Sequence, residues 1–330
     1  MNFITGATGL VGSHLAKLLL SKGEKVRAIR RKNSSMRLLG ADAERIEWME
    51  GDLSDITSLD EAMVGVKKVY HCAAVISFIK SEVPYMLKAN VEGTANVMNA
   101  SLQAGVEKVV HVSSVAAFGI ANPGKVIDEK YSDPNINKCF WYFRSKQYGE
   151  REAWRAHAEG LPVVVASPGT IIGPGNWGQE PNSLFRDIDK GLRFYTNGTN
   201  GFVDVRDVAE CLYRLMEGNF NGENYLIVSE NMTFKDVMWQ MADALQVRRP
   251  DWEAGALLRQ IAWRAEWAKT LFSKQRPLIT SESAAVASLD FFYSNEKIRK
   301  ALGYTFIPMA QSIKDTAAIY RQQHPKKARP

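Results

Sequence analysis

The chain has 330 residues, of which 45% are hydrophobic and 24% are charged, and its formal net charge is +6. This length can bury a large core and predicts two domains, or one domain with a sizeable appendage. The modest positive charge fits an anionic ligand, whereas the absence of basic runs interleaved with aromatic residues argues against a nucleic-acid partner.

Three cysteines, Cys72, Cys139 and Cys211, are widely spaced along the chain. Their spacing matches neither a disulfide framework nor a zinc cluster, so we predict no metal site and expect a reducing compartment. No signal-peptide pattern opens the chain, and no stretch reaches the roughly 18 apolar residues that cross a bilayer. We therefore expect a cytoplasmic protein without an integral membrane segment.

The first half of the chain alternates strand-like and helix-like segments. Strands are predicted at 2–5, 25–30, 46–50, 67–72, 106–112 and 162–166. Helices are predicted between them, at 11–22, 56–64, 84–104 and 142–159. This alternation indicates right-handed crossovers and an α/β fold, a doubly wound parallel sheet of the Rossmann type.

The pattern changes after Pro168, where Pro, Gly and Asn cluster over 173–181. Such clusters form loops, and loops that leave the carboxyl end of a strand bind ligands in this architecture. We predict a Rossmann domain over 1–167, to which 200–228 returns. A smaller, interleaved α/β substrate domain is predicted over 168–330, with helices at 205–216, 233–245 and 254–272.

A glycine-rich loop follows the first predicted strand. Gly6, Gly9 and Gly12 are spaced G-x-x-G-x-x-G, and the helix begins inside this loop. Glycine is required where backbone approaches a pyrophosphate, and the N–H groups that open the helix attract phosphate. An ordinary glycine turn is the alternative, but the strand before it and the helix after it favour a dinucleotide site. The predicted contacts are Gly6, Thr8, Gly9, Leu10, Val11 and Gly12.

Arg30 and Arg31 occupy the end of the second predicted strand, where an NAD-binding protein usually carries an acidic residue for the ribose 2′-hydroxyl. Guanidinium groups match a 2′-phosphate and do not replace a carboxylate as acceptors. We therefore predict NADP as the cofactor, with NAD as the alternative if these arginines are only solvated surface charges.

Tyr142 and Lys146 are four residues apart on a predicted helix, so their side chains share one face. A tyrosine has a pKa near 10, and a neighbouring ammonium or a positive nicotinamide ring favours the phenolate. Ser113 and Ser114 end the strand at 106–112, where a hydroxyl could hold a carbonyl oxygen. The spacing alone is common on helices, and its significance depends on the motifs around it.

Together these motifs resemble the extended short-chain dehydrogenase/reductase family, also described as the NAD-dependent epimerase/dehydratase family, over nearly the whole chain. The matching segments are the glycine loop at 5–12, Gly51-Asp52-Leu53, His71-Cys72-Ala73-Ala74, Asn90-Val91-Glu92-Gly93-Thr94, the serine strand at 112–119, Tyr142-Phe143-Arg144-Ser145-Lys146 and Pro168-Gly169-Thr170. Where many relatives have an arginine before the proline, this chain has Ser167.

The resemblance implies roles for several of these residues. Counted back from Gly119, Ser114 is the catalytic serine, and it acts with Tyr142 and Lys146. The implied cofactor contacts are Asp52 and Leu53 at the adenine, Ala73 and Ala74 on the nicotinamide side, Tyr142 and Lys146 at the nicotinamide ribose, and Pro168 and Thr170 at the carboxamide. The family also implies a homodimer formed by helices near 84–104 and 142–159.

Two further features narrow the branch. The segment 202–209, Phe-Val-Asp-Val-Arg-Asp-Val-Ala, and the segments 293–297 and 302–304 are similar to dihydroflavonol reductase-like and 3β-hydroxysteroid dehydrogenase-like members. Sugar-nucleotide dehydratases of the family carry an Asp-Glu pair after the catalytic serine or threonine, and Val115-Ala116 stands there instead. Dehydration is therefore disfavoured.

The expected function is NADPH-linked reduction of a ketone or aldehyde on a mainly apolar small molecule, or oxidation of the corresponding secondary alcohol. One alternative is a nucleotide-sugar epimerase, with Arg186 or Arg193 facing the substrate pyrophosphate. Another is a dinucleotide-sensing protein without catalysis, although such members tend to lose the tyrosine or the lysine.

Several aromatic residues are ambiguous. Trp263 and Trp267 lie one turn apart in 254–272 and form either a substrate lid, a membrane-surface face or, preferably, a packed core. Phe78, Trp141 and Trp177 have the same ambiguity between pocket and core. Cys139 is interpreted as a structural thiol.

Overall fold

The computed structural model describes residues 1–178, 182–255 and 280–325. The strands are β1 (Asn2–Thr5), β2 (Val26–Arg30), β3 (Glu47–Glu50), β4 (Lys68–His71), β5 (Lys108–Val112), β6 (Val126–Ile127), β7 (Val163–Pro168), β8 (Thr170–Ile172), β9 (Phe194–Tyr195), β10 (Thr199–Asp204), β11 (Asn224–Ile227), β12 (Glu230–Thr233), β13 (Trp252–Glu253) and β14 (Phe292–Tyr293). The helices are α1 (Leu10–Ser21), α2 (Ile56–Met63), α3 (Val83–Leu87), α4 (Gly93–Gln103), α5 (Trp141–Ala158), α6 (Ser183–Asp189), α7 (Val205–Glu217), α8 (Phe234–Ala244), α9 (Ser281–Val286), α10 (Glu296–Leu302) and α11 (Met309–Gln323).

Seven parallel strands form the central sheet, in the order β11-β7-β5-β4-β1-β2-β3. One apolar cluster packs α1 and α7 on one face, and a second packs α2, α4 and α5 on the other. The predicted doubly wound α/β fold is therefore confirmed. The six predicted strands are all present. All except the half-exposed edge strand β3 are largely buried, and such strands are apolar runs that the sequence displays directly.

The segment predicted as one helix over 84–104 is divided in the structure. A single π-helical turn at Lys88–Glu92 separates α3 from α4. Single π turns inside helices are often found at functional sites. Here the turn carries Asn90, whose contacts are described below.

The second half of the chain has its own core. A three-stranded sheet in the order β12-β10-β8 packs against α6, α8 and α11 through an apolar cluster that includes Phe202, Phe185, Met241 and Ile313. Helix α7 and strand β11 instead join the central sheet, so the two halves are interleaved. The described part of the chain contains no helix long and apolar enough to cross a membrane.

Two aspartates of the segment 202–209 connect these parts. Asp204 caps α7 by accepting the backbone N–H of Arg206 at 2.7 Å. Asp207 is buried and accepts hydrogen bonds from the Tyr304 hydroxyl at 2.7 Å and from the backbone N–H of Ile307 at 2.9 Å. The segment 202–209 is therefore hydrogen-bonded to the C-terminal segment that contains Tyr304.

Candidate active site

The glycine loop has a geometry that requires glycine at two positions. Gly6 has a φ of +71°, and a Cβ placed on it would lie 2.8 Å from the backbone of Ala73. A Cβ on Gly12 would lie 2.2 Å from the carbonyl oxygen of Gly6. The loop therefore packs directly on the segment after β4 and under the first turn of α1.

The beginning of α1 fits an anionic group. Gly9 is its N-cap residue, no side chain caps the helix, and its first turn contains no acidic residue. The backbone N–H groups at Leu10 and Val11 are among the four that a helix leaves unpaired at its start. These residues suit the pyrophosphate of a dinucleotide.

A buried hydrogen-bond chain joins three of the sequence motifs. The backbone N–H of Ala73 donates to Thr5 Oγ1 at 3.2 Å, and Thr5 Oγ1 lies 2.6 Å from His71 Nδ1. His71 Nε2 lies 2.9 Å from Thr94 Oγ1, which donates its own proton to the carbonyl of Asn90 at 2.7 Å. Since the Thr94 proton is used, His71 Nε2 is the donor and Nδ1 accepts from Thr5. Burial lowers the pKa of His71 to about 3, which keeps the ring neutral.

Asn90 fixes the loop that follows β4. Its Oδ1 accepts from the backbone N–H of Val75 at 2.7 Å, and its Nδ2 donates to the Val75 carbonyl at 2.8 Å. The same Nδ2 donates to Ser145 Oγ at 3.0 Å, and Ser145 donates to the carbonyl of Tyr142 at 2.7 Å. Asn90 thus links the loop after β4 to the helix that carries Tyr142.

Tyr142 lies between a hydroxyl and an aromatic ring. Burial raises the pKa of Tyr142, and a hydrogen bond with Ser114 acts in the opposite direction. The ring of Phe78 packs edge-on against the Tyr142 ring, with centroids 5.6 Å apart. The phenol is therefore protonated at neutral pH and has an apolar neighbour.

Lys146 is buried and donates from Nζ to the carbonyl of Val112 at 3.0 Å. Burial lowers the pKa of Lys146 to about 8, against an opposing effect of Glu150. The pKa of Tyr142 is raised overall, with burial as the larger cause and Ser114 opposing it, and the effect of Lys146 on that pKa stays a prediction. Desolvation dominates at both groups, and of the two Lys146 is buried whereas Tyr142 is partly buried.

The two adjacent serines have different partners because they follow one another along extended backbone. Ser114 faces Tyr142, whereas Ser113 donates to Glu150 Oε2 at 2.6 Å. Glu150 was not among the predicted site residues. Its position four residues after Lys146 places it on the same helical face, which is the only signal of it in the sequence.

The two predicted arginines at the end of β2 have different partners. The Arg31 guanidinium donates to the Tyr85 hydroxyl at 2.6 Å, on the exposed side. Arg30 lies over the ring of Trp48, at 5.7 Å from its centroid. Burial acts to raise the pKa of Asp52, but hydrogen bonds from Ser54 and the charges of Arg31 and Lys88 lower it overall.

The remaining predicted cofactor contacts lie at other strand ends. Leu53 follows Asp52, and its carbonyl accepts from Asn96 Nδ2 at 2.8 Å. Pro168 ends β7 and Thr170 begins β8. Between them, a Cβ on Gly169 would lie 2.4 Å from the carbonyl oxygen of Gly201, so this turn allows β8 and β10 to approach closely.

Of the ambiguous aromatic residues, Phe78 is the one found against Tyr142. Trp177 belongs to the core of the second half, where its Nε1 donates to Gln323 Oε1 at 2.7 Å and its ring packs on Tyr320. Trp141 stacks with Arg144, whose guanidinium lies 3.7 Å from the ring centroid. Trp263 and Trp267 lie outside the described residues.

Cys139 makes a structural contact, as interpreted from the sequence. Its thiol donates to Asp133 Oδ2 at 3.2 Å. Burial, with this hydrogen bond and the charge of Asp133, raises the pKa of Cys139 to about 11. The thiol therefore stays protonated and unreactive at neutral pH.

Comparison with known proteins identifies the family. The model of the NAD dependent epimerase/dehydratase family matches residues 2–228. The chain belongs to this family, and it is an enzyme of the NAD(P)-dependent short-chain dehydrogenase/reductase type.

Individual relatives extend the match over nearly the whole chain. A putative dihydroflavonol 4-reductase of Synechocystis sp. is 29% identical, over 98% of this chain and 94% of the relative. Cinnamoyl-CoA reductase 1 of Oryza sativa subsp. japonica is 34% identical, over 97% of this chain and 90% of the relative. The crystal structure of gox2253 has a TM-score of 0.84 at 32% identity and covers 99% of both chains.

Proposed function

We propose that this enzyme is an NADPH-linked reductase of a ketone or aldehyde on a mainly apolar small molecule, or catalyses the reverse oxidation of a secondary alcohol. The observation that carries the proposal is the setting of Tyr142, with the Ser114 hydroxyl near enough to lower its pKa and the Phe78 ring packed against it. Val115 and Ala116, which follow Ser114, are buried and apolar. The reductases among the relatives support the same choice.

In the proposed mechanism the nicotinamide, when bound, supplies or accepts the hydride at the substrate carbon. Tyr142 donates its phenolic proton to the carbonyl oxygen, and Ser114 holds that oxygen by a hydrogen bond. Lys146 anchors the ribose hydroxyls and provides a positive charge in the same buried site as the phenolate forms. In the oxidative direction Tyr142 takes the proton back.

The proposed cofactor site follows the strand ends. The residues that would hold the dinucleotide are Gly6, Thr8, Gly9, Leu10, Val11 and Gly12 at the pyrophosphate, Arg30 and Arg31 at the ribose phosphate, Asp52 and Leu53 at the adenine, Ala73, Ala74, Tyr142 and Lys146 toward the nicotinamide ribose, and Pro168 and Thr170 at the carboxamide. Of the two arginines, we assign the larger contribution to 2′-phosphate binding to Arg31, because Arg31 lies on the exposed side and its charge acts on Asp52, the proposed adenine contact.

Arg31→Ala is expected to raise the dissociation constant of NADPH by about 10-fold to 100-fold, in line with the loss of one charge-assisted contact to a 2′-phosphate. The affinity for NADH should change less than twofold, because NADH lacks that phosphate. Fluorescence titrations with both cofactors measure the two constants. Equal affinity of the unmodified enzyme for NADPH and NADH would contradict the choice of NADP.

The principal alternative is a nucleotide-sugar epimerase, which re-reduces its own cofactor within one cycle. Such an enzyme needs free cations for the substrate pyrophosphate. Arg186 pairs with Asp187 at 2.9 Å, and Arg193 forms a two-pronged pair with Asp251 at 2.8 and 2.9 Å. Both predicted cations are therefore already neutralised by carboxylates, which favours the reductase.

A carbonyl panel distinguishes the three candidate functions. Net consumption of NADPH with apolar ketones or aldehydes is expected for the reductase. Tight retention of cofactor, with interconversion of a nucleotide sugar and no net consumption, would support the epimerase. Intact dinucleotide binding without turnover of either substrate class would support the non-catalytic sensing protein.

We also propose a homodimer in solution, by analogy with the family, and a cytoplasmic location, in keeping with the three free cysteines. The region 168–330, apart from the part that returns to the central sheet, is proposed to bind the substrate. Light scattering coupled to size-exclusion chromatography tests the dimer, since a monomeric mass at micromolar concentration would contradict it.

A further inference from the structure

Glu150 is the centre of a polar network beneath the proposed active site. Its Oε2 accepts from Ser113 Oγ at 2.6 Å, and its Oε1 accepts from Trp154 Nε1 at 3.1 Å and from Asn224 Nδ2 at 3.0 Å. The indole and amide nitrogens can only donate, and the serine hydroxyl donates as well. The network thus provides three donors, which suit an ionised carboxylate. The three donors come from three elements: the residue after β5, strand β11 and the helix α5 that carries Glu150 itself.

Lys146 and Glu150 are anchored to consecutive residues of one strand end. Lys146 Nζ donates to the carbonyl of Val112, and the neighbouring Ser113 donates to Glu150. The two side chains are four residues apart on α5, so they emerge from the same face. The carboxylate and the ammonium therefore share one helical face, and the charge of Glu150 opposes the effect of burial on the pKa of Lys146.

The other titratable groups around Lys146 are uncharged at neutral pH. They come from β4 and the residue after it, from β5 and from α5, and they are His71, Cys72, His111 and Tyr142. Burial lowers the pKa of both histidines and raises the pKa of the thiol and of the phenol. Burial raises the pKa of Glu150 overall, but the hydrogen bonds from Ser113, Trp154 and Asn224 and the charge of Lys146 oppose that rise and favour the charged carboxylate.

We propose that Glu150 is a positioning residue that keeps the Lys146 ammonium charged and in place for the ribose of the cofactor. The proposal rests on the assignment of Lys146 to the cofactor ribose under the proposed function. A buried ammonium without a counter-charge tends to lose its proton, because desolvation disfavours the charged form. Glu150 opposes that loss without touching the substrate.

The test measures NADPH affinity by fluorescence titration from pH 6.5 to 9.5, for the unmodified enzyme and for Glu150→Gln. The pKa of Lys146 is about 8, so the affinity of the unmodified enzyme should weaken through that pH. In Glu150→Gln the midpoint should move to lower pH by about one unit, as expected for the removal of one nearby charge. At pH 6.5 the two proteins should bind NADPH within about twofold, because Lys146 is protonated in both.

Glu152→Gln is the matched control, because Glu152 lies on the same helix and pairs with Arg155 at 2.8 Å in a partly exposed setting. Its midpoint should equal that of the unmodified enzyme. The proposal is overturned if the pH dependence of NADPH affinity is the same in Glu150→Gln and in the unmodified enzyme. It is also overturned if Glu150→Gln loses affinity equally at every pH, because that result indicates a structural role only. If Glu150→Gln does not fold, Glu150→Asp replaces it, with a smaller shift in the same direction expected and an unmoved midpoint contradicting the idea.

This test separates the two claims. NADPH binding does not require a carbonyl substrate, so the midpoint of Glu150→Gln is measurable even if the carbonyl panel shows no turnover. Failure of the reductase assignment therefore appears in the panel, and failure of the role of Glu150 appears in the pH dependence of binding.

Discussion

Tyr142→Phe is expected to lower turnover by about 1,000-fold, since a positioned general acid contributes roughly 10² to 10⁴ to the rate. The substitution removes the phenolic proton and the hydrogen bond with Ser114, while the ring and its contact with Phe78 remain. The dissociation constant of NADPH should change less than twofold, because the proposed pyrophosphate and 2′-phosphate contacts lie on the glycine loop and at Arg31, and the proposed contact of Lys146 to the nicotinamide ribose remains. Steady-state kinetics and fluorescence titration measure the two quantities.

Tyr148→Phe is the control for this experiment. Tyr148 lies on the same helix, and its hydroxyl donates to Asn137 Oδ1 at 2.8 Å in an exposed position. Loss of this hydroxyl should leave the turnover of Tyr148→Phe within about twofold of that of the unmodified enzyme, because an exposed hydrogen bond contributes little to stability. A Tyr142→Phe enzyme that keeps most of its rate would remove Tyr142 as the proton donor and with it the proposed mechanism.

His71→Leu is expected to lower the free energy of unfolding by about 2 to 3 kcal/mol, the usual effect of leaving buried hydrogen-bonding groups without partners. The substitution removes the acceptor of Thr5 and the donor to Thr94 in the chain that joins β1, β4 and α4. Because Thr5 also accepts from the backbone of Ala73, NADPH affinity should fall as well. Denaturant-induced unfolding measures the change in stability.

His111→Leu provides the comparison. His111 is as deeply buried, its ring stacks on His71 with centroids 5.2 Å apart, and its two ring nitrogens have no hydrogen-bond partner among the described residues. Replacing such a group by an apolar one of similar size is close to neutral or stabilising. Equal destabilisation by the two substitutions would show that ring volume, and not the hydrogen-bond chain, accounts for the role of His71.

Helix 84–104 illustrates what the sequence could not predict. The sequence predicted one continuous helix at 84–104, and α3 and α4 do occupy that segment. The π turn between them contains Asn90, whose side-chain partners Val75 and Ser145 come from a loop and from another helix. No periodicity within the segment contains that information.

The two arginines after β2 show the same limit at the cofactor site. Their charge and position indicated a phosphate, and both were predicted to contact it. Alternation along extended backbone sends adjacent side chains to opposite faces, so Arg30 meets Trp48 while Arg31 meets Tyr85. Which face borders the cofactor depends on how the sheet is covered, and adjacent residues do not reveal that.

The sequence by itself determined the parallel sheet, the glycine loop and the four-residue spacing of Tyr142 and Lys146, because strand runs, tight turns and helical faces are local properties. The tertiary structure alone decided that Ser114 faces Tyr142 and Ser113 faces Glu150, and that His71 joins Thr5 to Thr94. It also determined that burial raises the pKa of Tyr142. The physical reason is that hydrogen-bond partners and desolvation arise from residues that are distant in the chain and adjacent only after folding.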